Sequence, residues 1–262
     1  MAQWQPVLHA WEAWVFCIIL AGLVPFHGML AYGRLKLAPE PIPTRTKLRL
    51  YATVLVMEWT LVLVAVVIAR RHGIGLPGLG QTLANLPLTL SVTGAGILAL
   101  VALAMFNAGQ IRRAKREELA ASVERARKFV PVGSTQVAAF VLVALTAGIC
   151  EEILYRGWLL SFLGALTGSM WIGMILSAVL FGIGHAYQGR QGIVATGVLG
   201  LVFGTMFVLV RSLVPGQVIH AGIDLVNGIL AGKIVKGLKA EPAPVTASAE
   251  QRGANEEPPT SA

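Results

Sequence analysis

Apolar runs long enough to cross a bilayer recur along nearly the whole chain, and they restrict it to one kind of fold. A lipid core offers backbone N–H and C=O groups no partners, so a spanning segment must be a helix or part of a closed barrel. Runs of about 17–25 apolar residues select helices. They lie at residues 11–33, 48–69, 87–107, 134–165, 169–185, 191–211 and 215–232. Of 262 residues, 55% are hydrophobic and only 13% charged, where a soluble domain carries roughly 25% charged residues. Mean hydropathy is +0.70. The expected fold is all-α, a polytopic transmembrane helical bundle of about seven to eight spans. The expected location is a bacterial-type cell membrane, as an integral multi-pass protein.

The net charge is +8, but the basic residues are clustered. Loop 34–49 carries Arg34, Lys36, Arg45, Lys47 and Arg49, and loop 108–133 carries Arg112, Arg113, Lys115, Arg116, Arg125, Arg127 and Lys128. Both loops, with Lys233, Lys236 and Lys239, fall on one side of a seven-crossing chain. Such clusters anchor to anionic head groups and set topology, which places them on the cytoplasmic side and the N-terminus outside. Nucleic acid is not an expected partner. Residues 1–33 contain no Lys or Arg, so the first span is read as an uncleaved helix rather than a signal peptide. Three parts are expected: N-terminal spans with basic loops over 1–133, a core over 134–239, and a disordered tail over 240–262, rich in Pro, Ala, Ser, Thr and Glu.

Polar residues inside the apolar runs carry the chemistry. Glu151, Glu152 and Arg156 interrupt a run that is otherwise apolar from Val137 to Leu166. An acidic residue at the centre of a membrane helix costs about 2.5–3.5 kcal/mol on insertion scales, so such groups are paired, functional or both. Glu152 and Arg156 are four apart and share a helix face. Glu151 lies about 100° around the helix and is left free to accept a proton. Phe181 and His185, and His220 and Asp224, are spaced in the same way. If the chain turns at Leu166-Thr167-Gly168, the glutamate pair and His185 lie level in antiparallel helices. His220 comes early in its helix, so that helix must start deep or tilt, which Pro215-Gly216 permits. The segment 134–165 is too long for a core about 30 Å thick, so it must tilt, start at the interface or break near Gly157.

A carboxylate beside imidazoles can activate water as a general base. Alternatively, His and carboxylate ligands can hold zinc with one position left for water. EExxxR, FxxxH and HxxxD, in this order on successive apolar helices, resemble the CAAX prenyl protease type 2 and bacteriocin-processing (CPBP) family of intramembrane proteases, which includes lysostaphin-resistance-like members. The resemblance spans residues 134–235 and implies a four-helix catalytic core within the bundle. It implies that Glu151 is the base that activates water and that Glu152 and His185 complete a water or metal site. It further implies that His220 and Asp224 stabilise the transition state or bind metal, with Arg156 and Phe181 in support. Metal candidates are Glu152, His185 and His220; a metal-free glutamate mechanism is the other possibility the family leaves. The family often has Asn where this chain has Asp224, and an ionised Asp cannot donate a hydrogen bond to an oxyanion. The implied substrate is a membrane-embedded or lipidated peptide, of prenylated CAAX type, in the bilayer.

Two other functions fit intramembrane acids and histidines: a proton-coupled transporter, and a non-catalytic membrane scaffold or immunity protein. Transporter folds pair discontinuous helices in matching halves, and no such repeat is evident here. Glu58, an unpaired acid in the second span, is read as structural or interfacial. Cys17 and Cys150 are read as buried small hydrophobes. His9, His27 and His72 are assigned no role. Gly197, Gly200 and Gly204 are read as close helix packing.

Overall fold

The computed structural model describes residues 2–124 and 126–240. Arg125, one of the basic residues of loop 108–133, and the tail over 241–262 lie outside the described residues. Among the described residues the regular structure is helical, with no strand. Six helices among the described residues are long and apolar enough to cross a membrane. We label the helices α1 (Trp11–Leu37), α2 (Thr44–Arg71), α3 (Leu86–Arg113), α4 (Arg116–Val123), α5 (Ser134–Thr167), α6 (Met170–Gly184), α7 (Gly189–Val210) and α8 (Val214–Ala240). Helix α4 is short and lies in the basic loop. Helix α6, with 15 residues, makes the seventh apolar segment at less than full span length.

The centre of the bundle is α5. In its most apolar window 56% of the residues are buried, more than in any other span, whereas for α3 the figure is 6%. Its 34 residues would reach about 51 Å as a straight α-helix. The structure resolves the excess length without a break. Residues Glu152–Leu160 form a π-helical stretch, in which hydrogen bonds skip five residues and the turns widen. Such bulges sit frequently at functional sites. Here it begins on the glutamate pair.

The turn after α5 falls where the sequence places it. Gly168 takes the left-handed conformation at φ 71° that ends the helix, a conformation that costs glycine nothing. Ser169 then caps α6, its Oγ accepting from the Ile172 N–H at 3.4 Å. Helices α5 and α6 pack backbone to backbone: a Cβ on Gly173 would lie 2.5 Å from the Gly164 nitrogen. Helices α6 and α7 meet in the same way, Gly200 against the Cα of Ala178. The small residues along α7 are therefore packing residues, as expected.

Loop 72–85 departs from a simple surface connection. Its turn at Leu76–Leu79 folds back so that Leu79 is fully buried and its carbonyl rests against Gly157. The Leu213 N–H donates to the Gly80 carbonyl at 2.9 Å, and the Ser212 hydroxyl to the Thr82 carbonyl at 2.7 Å. Helix α8 therefore starts inside the bundle, the deep start that His220 requires. Trp4 and Phe16 close edge-on over the buried Trp158, at 5.4 and 5.2 Å between ring centroids. At the opposite end the basic loops are tied together. Lys47 donates to the Val130 carbonyl, Lys128 to those of Lys36 and Ala38, and Arg127 pairs with Glu40 at 2.9 Å. His72 sits 3.2 Å from Glu12.

Candidate active site

Two close approaches build the site. A Cβ on Gly148 would meet the Ala221 backbone nitrogen at 2.7 Å and the Gln217 carbonyl at 2.8 Å. Only glycine lets α8 lie this close to α5, and His220 is thereby brought against the glutamate pair one turn further along. Gly216 lies equally close to the Glu152 carboxylate, where a Cβ would stand 2.9 Å from Oε2. This places the carboxylate at the first turn of α8, the positive end of the helix dipole.

Glu152 and Arg156 form the i,i+4 pair read from the sequence, with Arg156 Nη1 2.9 Å from Glu152 Oε1. Their side chains are 1% and 2% exposed, so the pair is out of reach of bulk water. The same Glu152 oxygen accepts from His220 Nδ1 at 3.0 Å. The Arg156 contact is an ion pair without hydrogen-bond alignment, and its terminal nitrogens meet no acceptor. Aromatic faces take that place. The guanidinium carbon lies 4.3 Å from the Phe181 ring centre and 5.3 Å from that of Phe203, a desolvated cation–π arrangement. Phe203 also stacks on His220 at 5.3 Å.

With its Nδ1–H given to Glu152, His220 presents Nε2 to the other two acids. Glu151 Oε2 is 3.7 Å away and Asp224 Oδ2 3.8 Å away. Both distances exceed a hydrogen bond. Glu151 Oε2 is buried and has no hydrogen-bond partner. Glu151 is 19% exposed and Asp224 38%, so the site opens on this side. Toward the other end, Leu79, Leu213 and Trp158 are fully buried.

His185 joins the cluster indirectly. It stands at the end of α6, with Nδ1 2.9 Å from the Phe181 carbonyl and its ring edge-on to Phe181 at 4.7 Å. The Phe181 ring also meets Tyr155 at 4.9 Å and His220 at 6.1 Å. Among the described residues His185 makes no hydrogen bond or ion pair with either glutamate. The structure thus gathers Glu151, Glu152, Arg156, His220 and Asp224 directly, and His185 across Phe181.

No three or more His, Cys, Asp or Glu side chains among the described residues are arranged to hold a metal ion. Glu152, His185 and His220 do not converge: Glu152 Oε1 is already engaged by Arg156 and His220, and His185 lies beyond Phe181. As placed, these donors do not fit zinc.

Three participants escaped the sequence reading. Phe203 and Tyr155 had no signal, being aromatic residues in apolar helices. Glu58 had one: it is as isolated an acid in an apolar helix as Glu151, and the same membrane-cost argument applies to it. The structure buries it to 7% exposure, with Oε2 lacking a partner, so it does not sit at an interface with lipid head groups.

The fold and the buried acid–arginine–histidine cluster define an intramembrane site of a helical multi-pass membrane protein. Residues 133–226 match the family model described as type II CAAX prenyl endopeptidase Rce1-like. This match supports the resemblance to the CPBP family of intramembrane proteases that EExxxR, FxxxH and HxxxD carry. Neither the curated proteins nor the solved structures provide a match to the chain.

Proposed function

We propose that the protein is an intramembrane endopeptidase in which Glu151 activates the attacking water and no metal takes part. The observation that carries this reading is the pairing of Glu151 Oε2, buried and without a hydrogen-bond partner, with the His220 Nε2 3.7 Å away. Two acceptor or donor atoms so spaced can both reach one water at about 2.8 Å from each. Glu151 takes a proton from that water as its oxygen attacks the scissile carbonyl. His220, protonated on both nitrogens, donates its Nδ1–H to Glu152 and directs its Nε2–H at the oxyanion that forms. Electrostatic stabilisation of this kind is commonly the largest single contribution to such a reaction. Glu152 and Arg156 act by holding His220 in place, and Phe181 and Phe203 fix Arg156. Asp224, acceptor-only when ionised, orients the imidazole from the open side.

The substrate is a membrane-associated peptide, of which a prenylated CAAX-type terminus is the form the family match favours. It enters from the side where Asp224 and Glu151 are exposed, toward the end bearing the basic loops, because the buried Leu79, Leu213 and Trp158 stand between the acids and the other end. The test is cleavage of a fluorogenic prenylated peptide by the purified protein in liposomes. Glu151→Gln keeps the shape and removes the base, and abolishes cleavage while the protein stays folded and inserted. Full turnover by Glu151→Gln would remove the assignment. Failure of the wild type to cut any membrane peptide would leave the non-catalytic scaffold in its place.

A further inference from the structure

Helix α2 lies outside the matched stretch, yet it delivers an acid to the site. Its register against α5 is fixed at two levels. The Gln136 amide donates to Thr44 Oγ1 at 2.9 Å, and the Trp59 indole N–H donates to Thr146 Oγ1 at 3.3 Å. Between these, Tyr51 packs on Phe140. The two helices run parallel, and this offset sets Glu58 opposite the turn of α5 that ends in Glu151. Glu58 lies close enough to Glu151 and Asp224 to interact with both electrostatically. It is 93% buried by its 7% exposure, and its Oε2 has no partner. Glu151 Oε2 is in the same condition.

The site therefore holds four carboxyl groups: Glu58, Glu151, Glu152 and Asp224. Arg156 serves Glu152 alone, and His220 is already bound to Glu152. Two carboxylates brought together in a low-dielectric interior cannot both stay ionised, and the usual resolution is one proton between them. A proton on Glu58 also makes its unpartnered, buried Oε2 a donor, the role burial demands.

We propose that Glu58 holds a proton that it exchanges with Glu151 through an intervening water, and so acts as its positioning residue and proton store during hydrolysis. The idea rests on the endopeptidase reading above. At rest the pair holds one proton, on the Glu58 side, and Glu151 is the carboxylate that faces water. When water attacks, one of its O–H bonds breaks and that proton joins the pair, which then holds two; the oxygen bonds to the carbonyl carbon. When the C–N bond breaks, the leaving nitrogen takes one proton and the pair returns to one. No other reactant is required.

The experiment combines infrared spectra of the carboxylic C=O stretch, recorded in H2O and D2O, with steady-state cleavage. Wild type, Glu58→Gln, Glu58→Asp and Glu151→Gln are compared in liposomes, each with its unfolding midpoint. The wild type is expected to show a protonated-carboxyl band that Glu58→Gln abolishes and Glu151→Gln shifts. Glu58→Gln is expected to lower kcat at least about tenfold with KM little changed, and Glu58→Asp to restore part of it. A merely structural Glu58 would leave kcat intact, because glutamine fills the same space and offers the same hydrogen bonds. A band unaltered in Glu58→Gln, or kcat preserved in it, overturns the proposal. If Glu58→Gln does not fold, an unshifted band in Glu151→Gln overturns it equally. A wild type that shows the band but cuts no peptide sinks the endopeptidase reading and leaves the proton exchange standing.

Discussion

Replacing Arg156 by alanine is expected to damage stability more than any other single change in the site. The side chain is 2% exposed, and its partner Glu152 is 1% exposed. Truncation leaves the Glu152 carboxylate buried, with His220 and the first turn of α8 as its remaining neighbours. Removing one member of a buried pair costs about 3–5 kcal/mol, most of it from the stranded charge. Arg156 also lies over Phe181 and Phe203 at 4.3 and 5.3 Å, and a desolvated cation–π contact contributes about 2 kcal/mol. These losses share the same atoms and do not add in full, so about 4–5 kcal/mol is expected in total. Unfolding by SDS titration in mixed micelles, followed by tryptophan fluorescence, reads the change. The double variant Glu152→Gln/Arg156→Met removes both charges while keeping volume, and should recover most of the loss, since paired apolar replacement of a buried ion pair is often close to neutral. Arg156→Ala unfolding within about 1 kcal/mol of wild type would refute the reasoning, because it would mean that water reaches Glu152.

Further expectations concern packing, metal and access. Gly173→Ala places a Cβ 2.5–2.7 Å from backbone atoms of Gly164 and Leu160, which cannot rotate away, so the α5–α6 hairpin should lose about 3 kcal/mol or more in the same titration. Gly157→Ala drives a Cβ to 2.5 Å from the Leu79 carbonyl; it should expel the inward loop and expose its peptide bonds to limited proteolysis, while leaving the α5–α6 hairpin intact. Dialysis against a strong chelator should change neither cleavage nor unfolding midpoint, and loss of both with recovery on adding zinc would contradict the metal-free reading. Cysteine at position 224 should react with a membrane-impermeant maleimide from the side that carries α4, whereas cysteine at position 158 should stay unreactive from either side.

Much of the local structure was legible because it depends on neighbours in sequence. The apolar runs located the helices, Gly168 ended α5, and the four-residue spacing of Glu152 and Arg156 already made them a pair. The cost of acids in lipid pointed to Glu151, His220 and Asp224. It pointed equally to Glu58, and there the reading stopped at a structural or interfacial role. The reason is physical. In a soluble helix the apolar stripe shows which face turns inward. In a membrane both lipid and core are apolar, so the stripe fades and helix rotation is set by close packing instead. Only the tertiary structure therefore turned Glu58 toward Glu151, set His220 on Glu152 through the contact at Gly148, and placed Phe203 beside Arg156. The same holds for the loop at Leu76–Leu79, whose inward fold depends on Gly157 and on carbonyls satisfied by Ser212 and Leu213, more than a hundred residues further along the chain. No local pattern records such long-range partners, and they decide which end of the site is closed.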